Sequence, residues 1–191
     1  WTRFGAGGLN STLSFGRVLR QEDQDGFTAT SGLDGLQSDW LVAAQVTAPG
    51  GFLIDARSLW DDNDGLTVAD SRVTWQNDRV ELGANYVWLS PDTGEGRDST
   101  ISEWTVDAAF VLNEAWTFEV DARYDVAADE PLRAGAGLQW QNECVTLALS
   151  ASRRFTSSST VDATTTFGLT GSIGSFAAGQ SAGARATGCR N

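Results

Sequence analysis

Residues 115–126 read "AWTFEVDARYDV", and their chemistry splits by parity. Trp116, Phe118, Val120, Ala122, Tyr124 and Val126 are apolar, while Thr117, Glu119, Asp121, Arg123 and Asp125 are polar or charged. A period of two is that of a β-strand with one apolar face and one wet face. Trp116 and Tyr124 stand near opposite ends of the apolar face, with smaller residues mostly between them. A strand whose outer face crosses a lipid bilayer has this form, because amphipathic rings settle at the two water boundaries.

The same alternation recurs on both sides of this segment. Period-two runs bounded by turn residues predict strands near 1–8, 12–20, 38–47, 50–60, 67–76, 79–89, 101–112, 115–126, 132–141, 144–154 and 165–176. Helical periodicity is absent. The connections alternate in length. Asn10-Ser11, Ala48-Pro49, Asn77-Asp78, Asn113-Glu114 and Gln141-Asn142-Glu143 are short, whereas 21–37, 61–66, 90–100, 127–131 and 155–164 are longer and mostly acidic. Short turns on one rim and long loops on the other are what an up-and-down outer-membrane barrel produces, and a Greek-key sandwich does not sort its loops this way.

With the short-turn rim as the bottom, Trp75, Trp116 and Trp140 lie beside lower turns, and Trp40, Trp60, Trp88 and Trp104 lie near the upper strand ends. Each shares parity with its strand's apolar residues, so the seven form two expected aromatic girdles. About ten residues at roughly 3.3 Å each, tilted about 45°, span roughly 23 Å, close to the apolar band of such barrels. The opposite parity is expected to face a lumen: Asp55, Arg57, Asp70, Arg72, Glu81, Asn85, Glu103, Asp107, Glu119, Asp121, Arg123, Arg133 and Gln139. Charges of both signs at this density need water or one another, since an aliphatic core would impose a large desolvation cost.

Composition narrows the function classes. The chain of 191 residues carries 25 acidic and 13 basic side chains, a net charge of −12, which opposes binding to nucleic acid. Histidine is absent, so a Ser-His-Asp or Cys-His site cannot be assembled from this chain. No run of 18 apolar residues offers a transmembrane helix. We expect no enzyme activity, cofactor or metal. The run Asp61-Asp62-Asn63-Asp64-Gly65 resembles the start of a calcium loop but lacks the closing Glu, and reads as a solvated hairpin. Cys144 follows a lower turn and Cys189 lies in the tail. In an oxidising compartment they admit a mutual disulfide, bonds to a further domain, or free thiols.

The expected fold class is therefore all-β. It is an antiparallel up-and-down transmembrane β-barrel segment of about ten or eleven strands over 1–176, followed by a tail at 177–191. An odd strand count would leave the first and last strands parallel, unlike bacterial single-chain barrels, so either the weak first strand is miscounted or the chain is the C-terminal portion of a larger barrel. The alternatives are a complete small porin-like or adhesin-type barrel, and a soluble acidic β-sandwich.

Three stretches resemble the LPS-assembly protein LptD family: "WLVAAQVTAPGGFLIDARSLWDDNDGL" (40–66), "ELGANYVWLSPD" (81–92) and "LRAGAGLQWQNECVTLALSASRRFTSSSTVDATTTFGLTGSIGSF" (132–176). The resemblance covers most of the chain from about residue 38 onward. It implies the C-terminal strands of a barrel in the Gram-negative outer membrane, plugged by the lipoprotein LptE and fed with lipopolysaccharide through the periplasmic LptA bridge. The tail would lie in the periplasm. Lipid would leave through a lateral gate bordered by the last strand, which here would contain Thr166, Phe167, Gly168, Thr170, Gly171 and Gly174. Family disulfides tie a C-terminal cysteine pair at a periplasmic turn to the N-terminal domain. Cys144 fits that turn, but this chain has one Cys there.

Overall fold

A computed structural model describes residues 1–22, 26–156 and 162–173. Eleven strands follow one another in space as in sequence, each antiparallel to its neighbours, in one sheet. They are β1 (Thr2–Phe4), β2 (Asn10–Gly16), β3 (Trp40–Ala48), β4 (Phe52–Asp61), β5 (Gly65–Gln76), β6 (Val80–Leu89), β7 (Ile101–Val111), β8 (Trp116–Asp125), β9 (Glu130–Gln141), β10 (Val145–Arg154) and β11 (Thr165–Ile173). The only helical pieces among the described residues are three short 3-10 turns. Among those residues β1 pairs only with β2 and β11 only with β10, so the sheet is open at both edges.

Three lower turns are built alike. Asn77, Asn113 and Asn142 each begin a reversal by turning the side-chain oxygen onto the next strand's first backbone N–H groups. Asn77 Oδ1 accepts from Arg79 and Val80 at 2.8 Å, Asn113 Oδ1 from Ala115 and Trp116 at 2.9 and 3.1 Å, and Asn142 Oδ1 from Cys144 and Val145 at 2.9 and 2.7 Å. A short amide side chain satisfies donors that the sheet has not yet paired, which is why Asn punctuates strands. The β3–β4 turn uses glycine instead, with φ of 83° at Gly50 and 87° at Gly51. A Cβ on Gly51 would lie 1.8 Å from the Gln76 carbonyl oxygen, so no larger residue fits there.

The first hairpin differs from the sequence reading. Asn10 and Ser11 are not a turn but the start of β2, paired with Phe4 and Arg3. The reversal lies upstream, where Gly7 and Gly8 take φ of 80° and 87° and the Gly5 N–H donates to the Leu9 carbonyl at 2.7 Å. Two consecutive glycines reach positive φ at no steric cost and outcompete the Asn signal. The second strand also stops at Gly16 rather than continuing to residue 20. Beyond it the Val18 N–H turns to the Ser38 hydroxyl at 2.7 Å, and only a lone bridge, Leu19 to Gln37, remains. The last strand is described to Ile173; the expected 174–176 and the tail at 177–191 lie outside the described residues.

Register keeps parity across the sheet. Trp40 stands opposite Trp60, Phe52 opposite Trp75, Trp104 opposite both Tyr86 and Tyr124, and Trp116 opposite Trp140. Every such pair lies on the same face. The register shifts once between Leu59 and Trp60 and once between Arg123 and Tyr124, both near upper strand ends. Among the described residues no hydrophobic side chain is buried.

Candidate functional site

The sheet has two chemically opposed faces, and each expected residue falls on one of them. Trp40, Trp60, Trp75, Trp88, Trp104, Trp116 and Trp140 share the apolar face, together with Val42, Ile54, Val73, Leu82, Val106, Val120, Leu138 and Leu149. This face is uncovered: Ile54 is 41% exposed, Trp104 45% and Leu149 55%. Rings pair at its margins, Tyr86 with Trp104 at 4.9 Å and Phe52 with Trp75 at 6.1 Å between centroids. Trp75 donates Nε1–H to the Gly50 carbonyl at 2.9 Å, and Trp40 to Asp62 at 3.1 Å, so these indoles are apolar in body and hydrogen-bonded at the tip.

Asp55, Arg57, Glu81, Asn85, Glu103, Asp107, Glu119, Asp121, Arg123 and Gln139 all share the opposite face. Four ion pairs tie it together. Arg57 binds Asp70, Arg123 binds Glu103, Arg72 reaches Asp107 at 3.1 Å, and Arg133 reaches Asp121 at 3.4 Å. The network also resolves like-charge contacts. Asp107 sits directly opposite Asp121, and Arg123 opposite Arg133, which would repel if left alone. Each member instead has its opposite-charge partner on a diagonal. Small residues make the diagonals passable: a Cβ on Gly83 would lie 2.3 Å from an Asp107 oxygen, and one on Gly135 2.4 Å from an Asp121 oxygen. Glu81, Asp107, Glu119, Asp121 and Arg133 line a shallow groove on this face.

The upper rim holds a second cluster that the strand pattern did not reveal. The segment 26–39 folds onto the polar face, where Gly32 meets Leu59 and the Thr67 hydroxyl donates to Asp39 at 2.7 Å. It then crosses to the loop between β6 and β7. The Thr30 hydroxyl donates to Asp92, the Thr28 hydroxyl donates to Glu95 at 2.6 Å, and Arg97 donates to the Thr30 hydroxyl at 2.7 Å. Thr30, Ser38, Asp39 and Thr67 are buried there. Hydrogen bonding from Thr30 holds the Asp92 carboxyl below its ordinary pKa, and that from Thr28 does the same for Glu95. Burial has the opposite effect on Asp39, raising its pKa despite the Thr67 bond. These partners are distant in sequence, and isolated threonines and aspartates carry no local signal of their meeting.

The calcium-like run is an Asx turn. Asp61 Oδ1 accepts from the backbone N–H groups of Asn63 at 2.7 Å and Asp64 at 2.8 Å. Among the described residues no group of three or more His, Cys, Asp or Glu is placed to hold a metal ion. Cys144, at the turn into β10, is disulfide-bonded; Cys189 lies outside the described residues.

On β11, Thr166, Gly168 and Thr170 share the polar face, and Phe167 and Gly171 the apolar one. Phe167 is 76% exposed. Gly174 lies outside the described residues. No family model matches the chain, and no curated protein matches it.

Proposed function

We propose that this chain is a transmembrane β-barrel segment of the Gram-negative outer membrane, the C-terminal part of a lipopolysaccharide-export barrel of the LptD kind. One observation carries the membrane reading. Ten consecutive strands, β2 to β11, turn most of their apolar residues to one face, and nothing among the described residues covers that face. In water such a surface far exceeds the apolar patch a soluble monomer tolerates. In a bilayer it meets its natural solvent, with aromatic rings at both margins. A soluble sandwich would supply a second sheet to bury it.

The polar face is suited to a hydrated lumen, where water and ion pairs satisfy the charges of β4 to β9. Among the described residues, the open edges of β1 and β11 and the odd strand count favour a portion of a larger ring over a complete small barrel. In that ring β11 would border the lateral gate, LptE would occupy the lumen and LptA would deliver lipid from the periplasm. The resemblance in 40–66, 81–92 and 132–176 supports this assignment. Transport would be passive here, with energy supplied elsewhere.

Extraction tests the membrane reading. The chain should remain with membranes after a carbonate wash and be released only by detergent; recovery in the soluble fraction overturns it. Transport is tested separately, with labelled lipopolysaccharide and the full-length protein in vesicles. Failure to deliver lipid to the outer leaflet with LptE and the LptA bridge present overturns the export assignment alone.

A further inference from the structure

The rising strands β4, β6, β8 and β10 start at lower turns, and their ninth residues are Trp60, Trp88, Tyr124 and Arg153. All four lie on the apolar face. The first three are the amphipathic rings of the upper margin. In β10 an arginine stands in their place. It is the one charged residue on the apolar face from β2 to β11 among the described residues.

Arg153 is held without being neutralised. Its guanidinium lies 5.4 Å from the centre of the Phe155 ring, and the side chain is exposed. The other rim arginine on this side, Arg17, makes a useful contrast. It lies 4.9 Å from the centre of the Trp40 ring but pairs with Asp62 at 2.9 Å and donates to the Ser38 carbonyl at 3.1 Å. Arg153 has no carboxylate partner among the described residues.

We propose that Arg153 is a binding site for the phosphate of a lipid headgroup at the upper edge of β10. The inference rests on the membrane reading above and adds a ligand to it. At ring level an arginine can keep its stem in the acyl region and its head among the phosphates. The guanidinium fork matches two phosphate oxygens, and stacking on Phe155 reduces the freedom lost on binding. Zwitterionic lipids also carry phosphate, but their nearby ammonium offsets the attraction, so anionic lipid is preferred.

The test uses the full chain extracted in non-ionic detergent and exposed to equimolar phosphatidylglycerol and phosphatidylcholine of identical acyl chains. Native mass spectrometry counts retained lipids. Wild type should favour phosphatidylglycerol, and Arg153→Gln should lower that preference about fivefold, the loss expected for one interfacial cation. Arg153→Lys, which keeps the charge but loses the fork, should fall between the two, and Arg17→Gln should leave the preference unchanged. Inorganic phosphate at millimolar concentration should not displace the lipid; displacement means a free-anion site and overturns the lipid assignment. Equal preference in Arg153→Gln and wild type overturns the proposal. Should Arg153→Gln fail to fold, wild type decides: an anionic preference that does not weaken with salt counts against the site. A chain that needs no detergent overturns the membrane reading and this proposal together, whereas a membrane-bound chain without lipid preference overturns only the latter.

Discussion

Arg72 on β5 reaches Asp107 on β7 across the intervening strand, with 3.1 Å from Nη2 to both carboxylate oxygens. It passes over Gly83 of β6, where a Cβ would lie 2.3 Å from Asp107 and 2.6 Å from Arg72. The glycine is the floor of the ion pair. Both crowded atoms belong to side-chain ends that can move, so the expected penalties are graded. Gly83→Ala should destabilise the fold by about 1 kcal/mol and Gly83→Val by about 2 kcal/mol. In an Asp107→Ala background the Gly83→Ala penalty should shrink by more than half. Refolding titrations in a double-mutant cycle measure this coupling, and additive effects would show that Gly83 serves some other purpose.

Val120 and Asp121 are neighbours in β8 on opposite faces. If the apolar face spans a bilayer as proposed, Val120→Arg should cost about 2–4 kcal/mol near its midplane. Asp121→Asn loses only a half-exposed pair with Arg133 and should cost under about 1 kcal/mol. Refolding into vesicles compares the two. Equal costs would contradict the assignment of faces.

The rim contacts of 26–39 predict a local response to acid. Asp92 and Glu95 have folded pKa values below their unfolded ones. Their contribution is complete above the unfolded values, about 3.9 for Asp and 4.3 for Glu, and is lost as pH falls through the lower folded values. Asp39 has the opposite sign, because protonation relieves its burial. Amide exchange at Thr30 and Ser31 should therefore accelerate below about pH 4, while the Asp39 end stays protected. Thr30→Val should bring the Thr30 acceleration to neutral pH. Uniform opening of the whole segment would refute a latch at Asp92.

Cys144 should be oxidised in exported protein, with Cys189 as the expected partner. Thiol blocking followed by non-reducing mass spectrometry reads this directly. A peptide containing both residues supports the mutual bond, and two alkylated thiols would exclude it.

If β11 borders the gate, locking its free edge should stop lipid transport without unfolding the barrel. The test joins Cys at Thr170 to Cys on the facing first strand of the full-length protein. Oxidation should block delivery of lipopolysaccharide to the surface, and reductant should restore it. Continued delivery through a fully crosslinked seam would place the lipid route elsewhere.

From β3 to β11 the strands and their faces are legible in the sequence alone. Alternation is a local property: in "AWTFEVDARYDV" each residue's side is settled by its neighbours, and the Asn-led turns at Asn77, Asn113 and Asn142 act within four residues. Partnership is different. That Arg72 chooses Asp107 over the nearer carboxylates, or that Arg133 meets Asp121, depends on register across strands and on the absent side chains of Gly83 and Gly135. The first hairpin turns upstream of Asn10 because the steric freedom of Gly7 and Gly8 outweighs the turn chemistry of Asn10. The packing of 26–39 against Asp92, Glu95 and Arg97 is illegible in the chain for the same reason as the ion pairs: contacts made about 65 residues apart leave no period, and only the folding of 26–39 over the sheet's upper rim brings them within hydrogen-bonding distance.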